Sequence, residues 1–257
     1  MATGLLPHDP TKMRRAPSLA GHAFAAEEPP ETLLRPGLID WTPNLDQNDL
    51  LPICTVAGID NAACCVAVVN GFLPKFDRTV LVPFYAAVVG CAPTAEAVMA
   101  TEGAQALDVL SRQAMLGLPV WSPAPLVGLF GTLPRSRAVI ANATNRLAHA
   151  YLGVQLLERD MEGGSAAWTF VPGRDDGKVV ARHIIVSFRY TGLGDEDAVE
   201  FATWGRWQYG TWAWLNARLT EQHALIWRQL GNADGQNLGV AEDVLEASLH
   251  AYVTSDA

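Results

Sequence analysis

Apolar residues recur at helical spacing from Cys54 onward. Val56, Ile59, Ala63 and Val66 fall on one face, and Asn70-Gly71 closes the run, which predicts a helix from Cys54 to about Val69. Thr79 to Val89 is a second apolar segment, strand or helix. Thr94 to Ala100, Gly103 to Leu116 and Arg135 to His149 carry helical periodicity, the second closed by Gly117. Leu118 to Pro134 reads as a Pro/Gly-rich connection and Glu158 to Lys178 as a long loop, on either side of a strand at Tyr151–Leu157. The pattern then turns to strand: Lys178 to Tyr190 is rich in Val, Ile and Phe, Thr191 to Asp197 supplies turn residues, and Ala198 to Trp204 returns. Two more helices are expected at Glu221–Leu230 and Val240–Tyr252. Helices first and an antiparallel sheet later predict an α+β protein with two halves packed side by side.

Residues 1–39 differ from the rest, being rich in Pro, Gly and charge and poor in periodicity. They read as an extended N-terminal arm: a disordered terminus, a short propeptide, or a segment that docks on a partner or on the domain itself. The folded domain is expected over 40–219, with a helical extension over 220–257. The N-terminus lacks the apolar stretch of a secretory signal, and no apolar run is long enough to span a bilayer.

Composition removes several function classes. The formal net charge of −9 argues against nucleic acid or an anionic membrane surface as partner. Cys54, Cys64, Cys65 and Cys91 form no CxxC pair and no zinc spacing with histidine, so no metal is expected and a reducing compartment is. Gly192-Leu193-Gly194 sits in a turn with no helix after it, which excludes a dinucleotide site, and no phosphate loop or GxSxG elbow occurs, so no cofactor is implied.

Two residues remain as candidates for chemistry. Pro52 suits a first helical turn, which places Cys54 among the unpaired N–H groups of a helix start, where a thiolate is favoured. The same placement also describes a buried structural cysteine before a core helix. On the strand at 178–190, Ile184, Val186, Phe188 and Tyr190 form one apolar face, so His183, with Ser187 and Arg189, points away from that row towards a cleft or solvent. Val199 and Phe201 are expected to join the apolar row, leaving Glu200 and Ala202 on the side of His183. A strand histidine of this kind is a hydrogen-bonded spectator or a base.

His183 follows Cys54 by 129 positions (183 − 54), close to the separation of about 130–150 that papain-like peptidases place between nucleophile and base. Asp46-Gln47 before Cys54-Thr55, Ala106-Leu107-Asp108-Val109-Leu110, Arg182-His183-Ile184-Ile185-Val186, and Thr203-Trp204-Gly205 with Gly210-Thr211-Trp212 occur in the order of that family's motifs. The chain therefore resembles the papain-like cysteine peptidase superfamily, in the divergent branch found in bacteriophages and prophages, over residues 40 to 230. The resemblance implies a papain-like fold, with Cys54 as nucleophile, His183 as base, and Gln47 as candidate oxyanion donor. Asn48, at the family's usual spacing of six before the cysteine, carries a shorter amide. The orienting Asn of the family is replaced by Ala202, and Thr203 is a candidate substitute, although a regular strand would turn it the other way. The departures imply weakened or lost catalysis. The expected role is a bacteriophage virion structural protein in capsid, neck or tail, made in the bacterial cytoplasm and assembled with other virion proteins or with itself through the arm. The alternative is an active cysteine peptidase or amidase with a peptide substrate.

Overall fold

A computed structural model describes residues 4–120, 124–162, 164, 166–174, 177–227, 229–230 and 242–255. A helical half precedes a six-stranded antiparallel sheet, as expected. Helix α3 (Cys54–Val69) is the centre of the first half, and every residue from Cys54 to Val68 is buried. Around it lie α4 (Leu81–Val89), α5 (Ala95–Met99) and α6 (Ala106–Leu116). The ambiguous segment at 79–89 is thus a 3-10 turn at Arg78–Val80 running into a helix, ended by Gly90 in the left-handed conformation.

The sheet has the order β1-β6-β2-β3-β4-β5. Its strands are β1 (Gly128–Thr132), β2 (Ala150–Leu157), β3 (Val179–Tyr190), β4 (Ala198–Thr203), β5 (Arg206–Thr211) and β6 (Leu219–Trp227). Helices α7 (Arg137–Arg146), α8 (Glu158–Glu162), α9 (Trp212–Arg218) and α10 (Glu242–Ser255) complete the second half. Sequence reading misses β1, which is only five residues and glycine-bearing, and also β5 and α9. The helix expected at Glu221–Leu230 is a correction: this segment is β6, hydrogen-bonded on both sides between β1 and β2. Burial on both faces erases the alternation that marks a strand. The extension expected from residue 220 accordingly begins after the sheet is complete.

The halves meet where α3 lies on β3. A Cβ at Gly58 would fall 2.4 Å from Ile184 Cγ2 and 2.9 Å from Tyr151, so only glycine allows this approach. Tyr151 fixes the crossing by donating its hydroxyl to the Thr55 carbonyl at 2.9 Å.

The arm lies along the domain surface. It contains α1 (Pro10–Arg15), capped by the Asp9 side chain, and α2 (Ala23–Ala26). Leu6 pairs with Ala104, Leu19 with Thr132 at the edge strand β1, and Leu33 with Tyr190 on β3. Leu5 and Leu19 are buried. Backbone pairing and isolated apolar anchors hold it, which is why it shows no periodicity of its own.

Candidate active site

Cys54 opens α3. Ile53, the residue before the helix, supplies no side-chain cap, which leaves the first-turn N–H groups to other partners. The backbone N–H groups of Ile184, the strand residue that follows His183, and of Thr55 act to lower the thiol's pKa. Cys54 is 1 % exposed, and burial pushes its pKa up to about 12 despite those donors.

His183 is also buried, at 1 % exposure, which corrects the expectation that it faces an open cleft or solvent. Burial pushes its pKa down to about 3. Its Nε2 lies 2.6 Å from Thr203 Oγ1. Thr203 was expected to turn away, and strand register explains why it does not. Val186 pairs with Ala202 and Ser187 with Phe201. Paired residues share a face, so Phe201 and Thr203 lie on the side of His183 and Ala202 on the side of Val186. Arg189 and Tyr190 pair with Glu200 and Val199 as the expected faces require, but the register shifts by one residue between Ser187 and Arg189, which exchanges the faces from Ser187 back to His183. The Thr203 hydroxyl is therefore the hydrogen-bond partner of His183, and Ala202 faces the other side of the sheet.

Trp204 and Gly205 form the two-residue turn between β4 and β5, with φ of 45° and 69°. Two positive values are the type I′ geometry that matches the strand twist. The turn lays Trp204 over His183, with ring centroids 4.2 Å apart and 20° between planes. This stacking covers the His183–Thr203 hydrogen bond. Its signal in the sequence was the Trp-Gly pair directly after β4.

The loop before Cys54 carries the amide candidates. Asp46 and Gln47 both have positive φ, 52° and 60°, at a cost of roughly 1–2 kcal/mol each. This turn exposes Gln47, whose carbonyl accepts the N–H groups of Leu50 and Leu51. Asn48 is buried instead, and its Oδ1 has no hydrogen-bond partner among the described residues. The inward-facing amide is thus the one at spacing six.

The arm covers the thiol. A Cβ on Gly4 would fall 2.3 Å from the Pro52 carbonyl oxygen and 3.0 Å from Cys54 Sγ. Ala104 N–H donates to the Gly4 carbonyl and Leu6 N–H to the Ala104 carbonyl, both at 3.0 Å. Gly103, at φ 124°, comes so near that its own Cβ would meet the Gly4 carbonyl at 2.8 Å. Leu5 settles beside Gly153 and the buried Glu221–His223 pair, whose Oε2 and Nε2 are 3.1 Å apart. No local sequence feature announces this contact, because it joins residues some fifty positions apart. Among the described residues no hydrogen bond joins Cys54 to His183, and no group of three His, Cys, Asp or Glu side chains could hold a metal ion. Nor is any helix among them long and apolar enough to cross a membrane.

The fold is that of the papain-like cysteine proteases. Xylellain, a cysteine protease from Xylella fastidiosa, superposes with a TM-score of 0.61 at 11 % identity, over 87 % of this chain and 95 % of its own. Digestive procathepsin L 3 of Tenebrio molitor gives 0.57 at 8 % identity over 84 % and 77 %. Procathepsin B S9 from Trypanosoma congolense gives 0.55 at 9 % identity over 88 % and 87 %. No family model and no curated protein sequence matches the chain.

Proposed function

We propose that this chain is a papain-type domain whose thiol site is kept silent by its own N-terminal arm, and that it serves as a structural component of a bacteriophage particle. The observation that carries the silent site is Gly4 seated on the Pro52 carbonyl and the Cys54 thiol. An acyl substrate would need that same space. The electrostatics agree, since burial disfavours both the thiolate and the imidazolium, so Cys54 and His183 stay neutral together. The particle setting rests on the phage-type motif resemblance and on an arm held by backbone pairing, at Thr132 on the edge strand β1 among other places, a mode equally suited to neighbouring virion proteins.

A second reading, a working peptidase or amidase, is favoured by one observation, the His183–Thr203 hydrogen bond at 2.6 Å. In it His183 takes the Cys54 proton, the thiolate attacks an acyl carbon, and the Cys54 N–H with the Asn48 or Gln47 amide holds the oxyanion. This requires a rearrangement, because His183 shares a face of β3 with Thr203 whereas Cys54 lies on the opposite, Ile184 face. Treatment of the full chain with a thiol-reactive epoxide or vinyl sulfone at neutral pH separates the two. The silent-site reading expects Cys54 to stay unmodified in the native chain and to become accessible in Gly4→Val, whose Cβ collides with the Pro52 carbonyl. Rapid selective modification of native Cys54, abolished by His183→Ala, would establish the hydrolase instead. Stoichiometric amounts of the chain in purified particles, by mass spectrometry, are expected of a virion component, and its absence there would end that part of the proposal.

A further inference from the structure

The loop on which the arm rests is held by a buried charge cluster that the site chemistry does not use. The Asp46 side chain is fully buried. It faces Asp60 on α3 and Arg78 on the 3-10 turn, whose Nε lies 3.2 Å from Asp46 Oδ1 and 3.0 Å from Asp60 Oδ2. Asn44 Nδ2 donates to the same Asp60 Oδ2 at 2.8 Å and also reaches the Cys64 thiol, the remaining titratable group of the cluster. Both Asp46 oxygens and Asp60 Oδ1 are buried without a hydrogen-bond donor. Two carboxylates facing one guanidinium leave a net negative charge in the interior, which is costly, whereas one proton between the carboxyls removes it and supplies the missing donor.

This cluster connects to the arm through a short, continuous path. Asp46 is the first of the two left-handed residues. The Gln47 carbonyl binds the N–H groups of Leu50 and Leu51, and the Leu51 carbonyl binds that of Ile53. Between them stands Pro52, whose carbonyl is the seat of Gly4. Strained backbone of this kind persists only where its surroundings hold it, and the side chain that holds it is Asp46.

We propose that Asp46 and Asp60, sharing one proton beside Arg78, form a latch for residues 46–53, and that loss of this proton releases the loop and lifts the arm from Cys54. The inference rests on the arm being the cover of the thiol site. Burial, then the Asp60 charge, raise the Asp46 pKa to about 8, with Arg78 opposing, and Asp60 is raised as well. In the released loop Asp46 returns to its ordinary range near 4. The latched state therefore binds a proton that the released state does not, throughout the interval between those values. Latching is fully stabilised at the acid end and weakens as pH rises, until Asp46 is ionised in both states.

Hydrogen exchange of the full-length chain tests this, because it requires no catalysis. Protection is read relative to unstructured peptide at each pH, which cancels the chemical pH dependence. The amides of Leu6 and Ala104 report the arm, and those of Leu50 and Leu51 the loop. In the native chain all four should lose protection together, up to about tenfold per pH unit between pH 5 and 8, and level off above. Asp46→Asn keeps the shape and removes the charge, and its protection should not vary with pH. Asp60→Asn leaves Asp46 facing Arg78 alone, so the levelling point should move to lower pH. Flat protection in the native chain, an unchanged slope in Asp46→Asn, or a response of Leu6 without Leu50 and Leu51 would overturn the latch. If Asp46→Asn does not fold, an unmoved levelling point in Asp60→Asn does the same. Failure of the covering role itself would show separately, as unaltered Cys54 labelling in Gly4→Val.

Discussion

Replacing Thr203 with valine removes one atom's chemistry from the site and almost nothing of its shape. The hydroxyl oxygen lies 2.6 Å from His183 Nε2, and exposures of 3 % and 1 % leave water no access to substitute for it. His183 is neutral at pH 7, since burial lowers its pKa to about 3, so the loss is that of one neutral hydrogen bond plus a buried ring nitrogen without a partner. Such a change costs about 1–3 kcal/mol. Urea unfolding of Thr203→Val should show a lower midpoint by that amount with the slope against denaturant unchanged. Thr203→Ser, which keeps the oxygen, should recover most of the difference. In a His183→Leu background the same Thr203→Val change should cost under about 0.5 kcal/mol, because replacing both partners by apolar groups leaves nothing unpaired. A Thr203→Val chain as stable as the native one, or an equal cost in both backgrounds, would refute Thr203 as the partner of His183.

Two further outcomes are expected. Asp160 is buried and accepts from Leu157 N–H, Trp214 Nε1 and Arg218 Nε, so Asp160→Ala should lose about 3–5 kcal/mol in chemical denaturation by removing the carboxylate from a buried ion pair and two further buried donors, and part of that loss should vanish in an Arg218→Met background. His149 Nδ1 contacts the Leu147 carbonyl at 2.8 Å while Nε2 accepts from Leu225 N–H at 3.2 Å. That pattern suits only the neutral ring, and burial lowers its pKa to about 4. Its stabilisation is complete above pH 6.5 and is lost as pH falls from there toward 4, at about 1.4 kcal/mol per unit. His149→Gln should make the measured stability curve less acid-sensitive by one proton over that interval, and an unchanged curve would count against the assignment.

Much of this molecule was readable in the chain itself. The buried helix from Cys54 to Val69, the strand carrying His183, the turn that joins it to β4 and the α+β order all follow from periodicity and turn residues, and the motif order pointed to the papain-like fold. These are local properties, in which each residue's neighbours in sequence are its neighbours in space. Where burial is two-sided the local signal fails, which is why β6 resembled a helix and β1 a connection. The register of β4 against β3 was beyond reach of the sequence as well. A shift of one residue is invisible in composition, yet it decided that Thr203 and not Ala202 stands beside His183. The arm over Cys54 and the Asp46–Asp60–Arg78 cluster likewise exist only once the chain is folded. Their contacts join residues about fifteen to fifty positions apart through backbone approach and buried charge, neither of which leaves a periodic trace. The sequence by itself determined which residues are available for chemistry, whereas tertiary structure decided that the thiol is covered and the imidazole is hydrogen-bonded to a hydroxyl. Desolvation and register belong to the packed chain and not to any segment of it.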